Sequence, residues 1–586
     1  MAAAHQQTVD LSSVQVVRDP APYCQFAATS IPIRTLPAEG AAAAEVSLPL
    51  FGAASAYSVS TEEEAEAAPA SKPRKKARLD SEPGPDLLLH AGGLVWALDW
   101  CPFRQQSSGS AGESSGLEGQ PEYLAVGAHP KPHSENLINR PITGPGMLQL
   151  WRIPSPATDA DHSLPLAEPA SQAGCAPNGS AALGPERLGL LAVVLGNGDV
   201  QVLAVPAPLA LRASMADSLR TASQDQAGPA ERALPELAVR LQPVAHASAA
   251  ALSGSLASTL EWLPSAPHDL LLVGCWDGSV AMFRLRPALP AAAHPAPSEP
   301  ATRLKQSQRA QHAQQAAQQS NAAAPLPAGA SLELLLHVPA DPVPLRAVSW
   351  LPAPLGLGSS DLAHRHMFVT AGHAGVIKVW DARDACRPLV AANVGTQWIL
   401  SADWLPSPLG VVAALDDCSF RFINLGLEQY EKGHNHSTMS HKGARTSALW
   451  SVHYCHRTGH IAYGGQDGEV ALAVPAIAFA ADSRKRGGHV PLAGWRKEGD
   501  TLVLQTAAAL DARGLANHVL EGANPRQIGR TKSKPGAEGQ DPEFTDLPDL
   551  TPAIRRVRWS PNGTSAIWLA HGGTAGVVRC QRLAVE

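Results

Sequence analysis

The chain has 586 residues, 51 of them Pro and 49 Gly, with only 17% charged residues and a formal net charge of −6. That balance excludes a polyanion-binding surface over the whole body, so any nucleic-acid contact has to come from a local patch. Eight Cys with no C-x-x-C pair exclude a disulfide or zinc framework, and no apolar run approaches the roughly 18 residues of a membrane span, so a soluble, reduced, intracellular protein is expected.

Residues 1–85 combine an Ala-rich stretch, an acidic run (TEEEAE, 61–66) and a basic run (KPRKKAR, 72–78), with little to bury. They predict a disordered N-terminal tail, in which only VQVVRDPAPYCQF (14–26) is apolar enough to dock. At DLLLHAGGLVWALDW (86–100) a strand-like LLLH precedes Gly92-Gly93 and a second strand. That second strand carries the phrase VWALDWCP (95–102). It recurs as TLEWLP (259–264), LRAVSWLP (345–352), ILSADWLP (399–406), LWSVHYCH (449–456) and IRRVRWSP (554–561). A further apolar run, a Gly-centred turn and a third run follow it, most plainly in LLLVGCWDGSVAMFRL (270–285), HMFVTAGHAGVIKVWDAR (366–383) and HIAYGGQDGEVALAVP (460–475). RLGLLAVVLGNGDVQVLAVP (187–206) supplies the same hairpin, but the strand expected before it survives only as CAPNGS (175–180).

A strand, a second strand, a tight hairpin and a third strand, repeated, specify an all-β chain folded as a WD40-type β-propeller of about seven blades. The blades start near residues 93, 172, 257, 344, 398, 447 and 553. At roughly 40–45 residues per blade the ring takes about 300 residues. The remainder is assigned to low-complexity inserts, expected to be disordered, near 103–121, 154–186, 206–256, 286–330 and 476–551. The chain ends on GVVRCQRLAVE (576–586), a third strand with no fourth after it; pairing Leu87–Leu89 with it closes the ring and leaves no open edge. Within the repeated phrase, Trp100, Trp262, Trp350, Trp404 and Trp559 are read as wedges between blades, and the Pro two residues later as a strand stop. Asn197-Gly198, Asp277-Gly278 and Asp467-Gly468 supply hairpin residues that tolerate positive φ.

Chemistry-bearing constellations are sparse, and neither catalytic, metal nor cofactor residues are assigned. There is no phosphate-binding P-loop and no H-E-x-x-H. The serine-hydrolase-like GESSG (112–116) lies in a Ser/Gly insert, not on a strand–turn–helix elbow. His453, Cys455, His456 and His460 have ligand character, but they fall on a strand and its hairpin, where alternate side chains point to opposite faces. His434, His436 and His441 sit in a polar stretch; both groups are read as structural. The basic run Lys72, Arg74, Lys75, Lys76 and Arg78 is different: five cations in seven residues suit an acidic import-receptor groove or a phosphate backbone. Smaller basic patches are 484–486, 526–534 and Arg555, Arg556 and Arg558, of which Arg556 and Arg558 share a strand face. No enzyme, membrane or small-molecule role is expected, and the face that binds partners is left open.

GGLVWALDWCP (92–102), EYLAVGAHP (122–130), GPGMLQLWRI (144–153) and the hairpin at 187–206 occur in an order that resembles the WD-repeat beta subunit of RNA polymerase III general transcription factor IIIC. The resemblance is specific over roughly residues 86–206 and only WD-like beyond. It implies a nuclear, non-catalytic scaffold whose partners are the other subunits of factor IIIC. It also implies indirect or weak DNA contact at internal promoters of transfer-RNA and 5S ribosomal RNA genes. The alternative is a WD40 scaffold of another nuclear complex, a ubiquitin-ligase substrate receptor or a chromatin adaptor.

Overall fold

Each copy of the repeated phrase forms the innermost strand of a small antiparallel sheet: Leu94–Trp100, Ala257–Trp262, Leu345–Trp350, Ile399–Pro406, Leu449–Tyr454 and Ile554–Trp559. The computed structural model describes residues 15–16, 30–36, 44–55, 86–102, 122–129, 147–153, 187–207, 239–264, 267–286, 330–352, 366–406, 409–425, 438–442, 448–473, 489–507, 510, 552–562 and 566–584. Successive inner strands pack on one another from the third blade through the seventh, and the seventh packs on Leu94–Trp100 of the first. The hairpin strand Arg187–Val194 packs on the inner strand of blade 3. Six sheets on these inner strands, with the three-stranded sheet of Arg187–Val194, Val200–Pro206 and Pro243–Ala247, make this a WD40-type β-propeller.

The wedge reading holds for four of the five Trp residues, while Trp262 is only partly buried. Trp100, Trp350, Trp404 and Trp559 are at most 4% exposed, against sheets on both sides. Their polar edges are used as well: the Trp404 Nε1–H donates to the Ser349 carbonyl at 3.1 Å and the Trp100 Nε1–H to the Arg558 carbonyl at 3.1 Å, each bond crossing to the next blade. At these two positions a buried indole fills volume and pins neighbouring blades together, while the Trp350 and Trp559 indole N–H groups have no partner among the described residues. The hairpin glycines take the predicted conformation, with φ of 85° at Gly198, 86° at Gly278 and 80° at Gly468.

Ring closure occurs where the sequence places it. Leu87–His90 pairs antiparallel with Val577–Ala584, Leu89 opposite Val578 and Leu88 opposite Arg579. Just before this strand, buried Asp86 accepts from buried Arg579, through Nε at 3.1 Å and through a second, shorter contact to Nη2. The first and last strands of the ring are thus joined by a ladder and a buried ion pair.

Several expectations need correction. The segment 1–85, predicted to be a disordered tail, contributes Ser30–Leu36 and Ala44–Pro49, which extend blade 6, and Ala53–Ser55, which pairs with Leu87–His90 on blade 7. Ile33 and Leu48 are 1% and 0% exposed in the core between these two blades, so alternating apolar residues bury here despite the Ala-rich surroundings. The 14–26 stretch, unplaced from sequence, pairs Gln15–Val16 with Val239–Arg240. The stretch 476–551, read as an insert, holds His489–Glu498 and Thr501–Thr506, the fourth and fifth strands of blade 6. The stretch 206–256 holds Pro243–Ala247, the outer strand of blade 2, and the short 3₁₀ turn Ala249–Leu252. In blade 2 the residues 175–180 lie outside the described residues; the strands seen there are Arg187–Val194, Val200–Pro206 and Pro243–Ala247. The inserts 103–121 and 154–186 lie outside them too, as does 287–329 of the insert placed near 286–330.

Candidate interaction face

The inner strands share a device that the sequence pattern hides. In six blades the register with the second strand slips by one residue near the start of the inner strand: at Val95/Ala97, Ala257/Thr259, Leu345/Ala347, Ile399/Ser401, Leu449/Ser451 and Ile554/Arg556. Each slip is a β-bulge, and a bulge re-aims the extra side chain away from strict alternation. The extra residues are Trp96, Ser258, Arg346, Leu400, Trp450 and Arg555. Trp96 and Trp100 are four apart and would otherwise share a face; so would Trp450 and Tyr454, and Arg555 and Trp559. The bulge separates the wedge from its partner and brings the second residue to the mouth of the central channel. The hairpin turn between the second and third strands lies at the same end, adding Trp276 and His373.

The result is a mouth built from aromatic rings and guanidinium groups. The Arg555 guanidinium lies 3.7 Å from the Trp450 ring centroid and 5.9 Å from that of Trp96. The Trp450 indole N–H is anchored on Gln466 Oε1 at 2.6 Å. Arg346, on blade 4, sits 5.6 Å from Trp276. His373 stacks on Trp398 with centroids 4.4 Å apart and meets Trp276 edge-on at 6.2 Å. Such cation–π contacts orient each guanidinium but do not neutralise it.

The charge at the mouth is poorly compensated. Arg555 is 5% exposed, and its Nε and Nη1 have no hydrogen-bond partner among the described residues; the same holds for Arg346 Nε. Burial, then repulsion from Arg346 on blade 4, pulls Arg555 down to about 10. Burial and the neighbouring Arg558, Arg346 and Arg555 pull Arg556 down to about 9. Burial lowers Arg346 too. Arg556 does find one acceptor, the Trp96 carbonyl at 3.1 Å from its Nε.

One turn deeper lies a belt of polar residues at the penultimate position of most inner strands: Asp99, Glu261, Ser349, Asp403, His453 and Arg558. These stitch blades together. Glu261 Oε2 accepts the Trp350 N–H at 3.1 Å, Asp403 Oδ2 the Tyr454 N–H at 2.7 Å, and His453 Nδ1 the Trp559 N–H at 3.0 Å. Burial, reinforced by the Asp403 charge, raises Glu261 to about 8; burial also raises Asp403. His453 is held well below its usual range by burial and by Arg558.

This accounts for the histidine cluster. His453 is a neutral acceptor in the belt, and the Cys455 sulfur accepts the Thr458 N–H at 3.5 Å in the following turn. His456 meets Tyr454 edge-on, and the His460 carbonyl accepts the Cys455 N–H at 2.8 Å. These contacts lie within blade 6 and at its seam with blade 7. His441 lies on Thr438–Lys442, the outer strand of blade 5. The regular register of Arg556 with Gly572 and Arg558 with Ala570 puts these two on one face, as alternation predicts. Lys72, Arg74, Lys75, Lys76 and Arg78 lie outside the described residues, as do GESSG, His434, His436, 484–486 and 526–534.

Seven blade-like sheets among the described residues define the class by fold: a WD40-type β-propeller. The chain resembles a particular member of that class, "General transcription factor 3C polypeptide 2". It is 24% identical to the human protein over 555 residues, covering 84% of this chain and 52% of that one, and equally so to the protein of Pongo abelii. The resemblance read in the first two blades therefore extends across the ring, while the chain spans about half the length of the curated relatives it matches. No protein-family model matches the chain. Among solved structures it is similar to Chaetomium thermophilum Sqt1 bound to the N-terminus of ribosomal protein L10, at 13% identity and a TM-score of 0.38, covering 84% of this chain and 98% of that one.

Proposed function

We propose that the chain is a non-catalytic subunit of transcription factor IIIC, a propeller scaffold that holds other subunits of the factor together. The observation that supports this most is the alignment with general transcription factor 3C polypeptide 2, which runs through 84% of the chain. The channel residues support a non-catalytic role: Glu261, Asp403 and His453 accept from backbone N–H groups of neighbouring blades. On this reading the protein works in the nucleus, at internal promoters of transfer-RNA and 5S ribosomal RNA genes. The run Lys72, Arg74, Lys75, Lys76 and Arg78 serves nuclear import or a weak phosphate-backbone contact. Affinity purification of the tagged chain from nuclear extract at low salt should recover the other factor IIIC subunits. Recovery of ubiquitin-ligase or chromatin-adaptor components in their place would overturn the assignment.

A further inference from the structure

Among the described residues, the positive charge at the channel mouth is left unanswered. Among the described residues, no carboxylate forms an ion pair with Arg346 or Arg555. The acidic residues of the nearby hairpins are occupied within their own turns: Asp277 accepts the Ser279 N–H, Asp417 the Ser419 N–H and Asp467 the Glu469 N–H. Asp416 accepts the Trp398 N–H at 3.1 Å. A buried cation with unpaired donors is costly, and its cost is offset when an anion arrives to accept those hydrogen bonds.

We propose that this mouth binds an extended acidic peptide segment of a partner protein, its carboxylates pairing with Arg346 and Arg555 and its apolar side chains lying on Trp398 and Trp96. Two observations support this occupant. Trp398 and Trp96 expose 47% and 37% of their surface beside the recessed cations, so apolar contact and charge are offered together. The cations lie among these rings: Arg555 is 5% exposed, and its Nε and Nη1, like Arg346 Nε, are buried without an acceptor among the described residues. The net charge of −6 disfavours a nucleic acid lying across the body. The inference holds whichever complex the chain joins, because it concerns a binary contact of the purified chain.

The test is fluorescence anisotropy of the full chain with fluorescein-labelled hexaglutamate at low salt. Binding is expected, with Arg346→Gln and Arg555→Gln each weakening it about tenfold or more. Trp398→Ala, on an exposed ring whose loss leaves the fold intact, should weaken a probe with leucines interspersed among the glutamates more than hexaglutamate itself. The combined variant Arg74→Gln/Lys75→Gln/Lys76→Gln should leave the affinity for hexaglutamate within about twofold, which separates the mouth from the basic run. Circular dichroism of each variant confirms folding. Absence of binding, indifference to both mouth arginines, or preferential binding of single-stranded DNA that is lost with the same two substitutions would overturn the proposal.

Discussion

Substituting Asp86 by Ala strikes the ring where its two ends meet. Asp86 and Arg579 are 2% and 1% exposed, and their contact sits at the end of the ladder between Leu87–His90 and Val577–Ala584. Removing the carboxylate leaves a buried guanidinium without its counter-ion, a change that costs about 3–5 kcal/mol. Typical total stabilities are about 5–15 kcal/mol, so a large fraction is lost at one position. For urea unfolding with a slope of about 3 kcal/mol per M, the midpoint should fall by about 1–1.7 M, read from tryptophan fluorescence. The control is Glu498→Ala, which breaks the half-exposed pair with Arg34 and should cost under about 1 kcal/mol. The double change Asp86→Leu/Arg579→Met removes both charges and should recover most of the loss. An Asp86→Ala cost below about 1 kcal/mol, or a double variant no better than the single, would refute the argument that this pair latches the ring.

Glu261→Gln keeps an oxygen to accept the Trp350 N–H but does not ionise. Because the native carboxyl is raised to about 8, the folded state holds more protons than the unfolded between about pH 4.5 and 8, and stability falls as pH rises through that window. The Gln variant should therefore gain melting temperature over the parent at pH 8 but not at pH 4; an equal difference at both would contradict the assignment. Gly278→Ala should cost at least about 3 kcal/mol, since φ is +86° and the new Cβ would lie 2.0 Å from the Asp341 carbonyl oxygen. Gly254→Ala has the same φ but open space, and should cost only about 1–2 kcal/mol by chemical denaturation. Trp404→Ala removes a fully buried wedge and its bond to Ser349, and should cost about 3–5 kcal/mol; a loss under about 1 kcal/mol would mean the blades do not depend on it.

The parts of the ring that were legible in the sequence are those with strong local signals. Trp-x-Pro at the end of an apolar run, and Asp-Gly or Asn-Gly between two such runs, fix the inner strands and hairpins because sterics and burial act within a few residues. Closure was legible too, since Leu87–Leu89 reads as a strand ahead of the first inner strand and pairs with Val577–Ala584. Outer additions were not. SIPIRTL (30–36) and TLVLQT (501–506) alternate well enough to be strands, but their pairing is parallel and joins segments more than 460 residues apart. Nothing local announces that partnership. The mouth was hidden for a different reason: Trp96, Trp450 and Arg555 stand four residues from the wedge position and read as its neighbours on one face until the bulge parts them. The Gly-Gly at 464–465 and at 572–573, opposite two of these bulges, is the nearest thing to a sequence signal.

As the proposed subunit of factor IIIC, the chain would act at genes read by RNA polymerase III. Chromatin immunoprecipitation of the tagged chain tests that claim most directly. Occupancy should concentrate over the internal promoters of transfer-RNA and 5S ribosomal RNA genes, through other subunits, and should persist when Lys72, Arg74, Lys75, Lys76 and Arg78 are replaced by Gln and import is restored by a heterologous signal. A nuclear chain with no enrichment at those genes would contradict it.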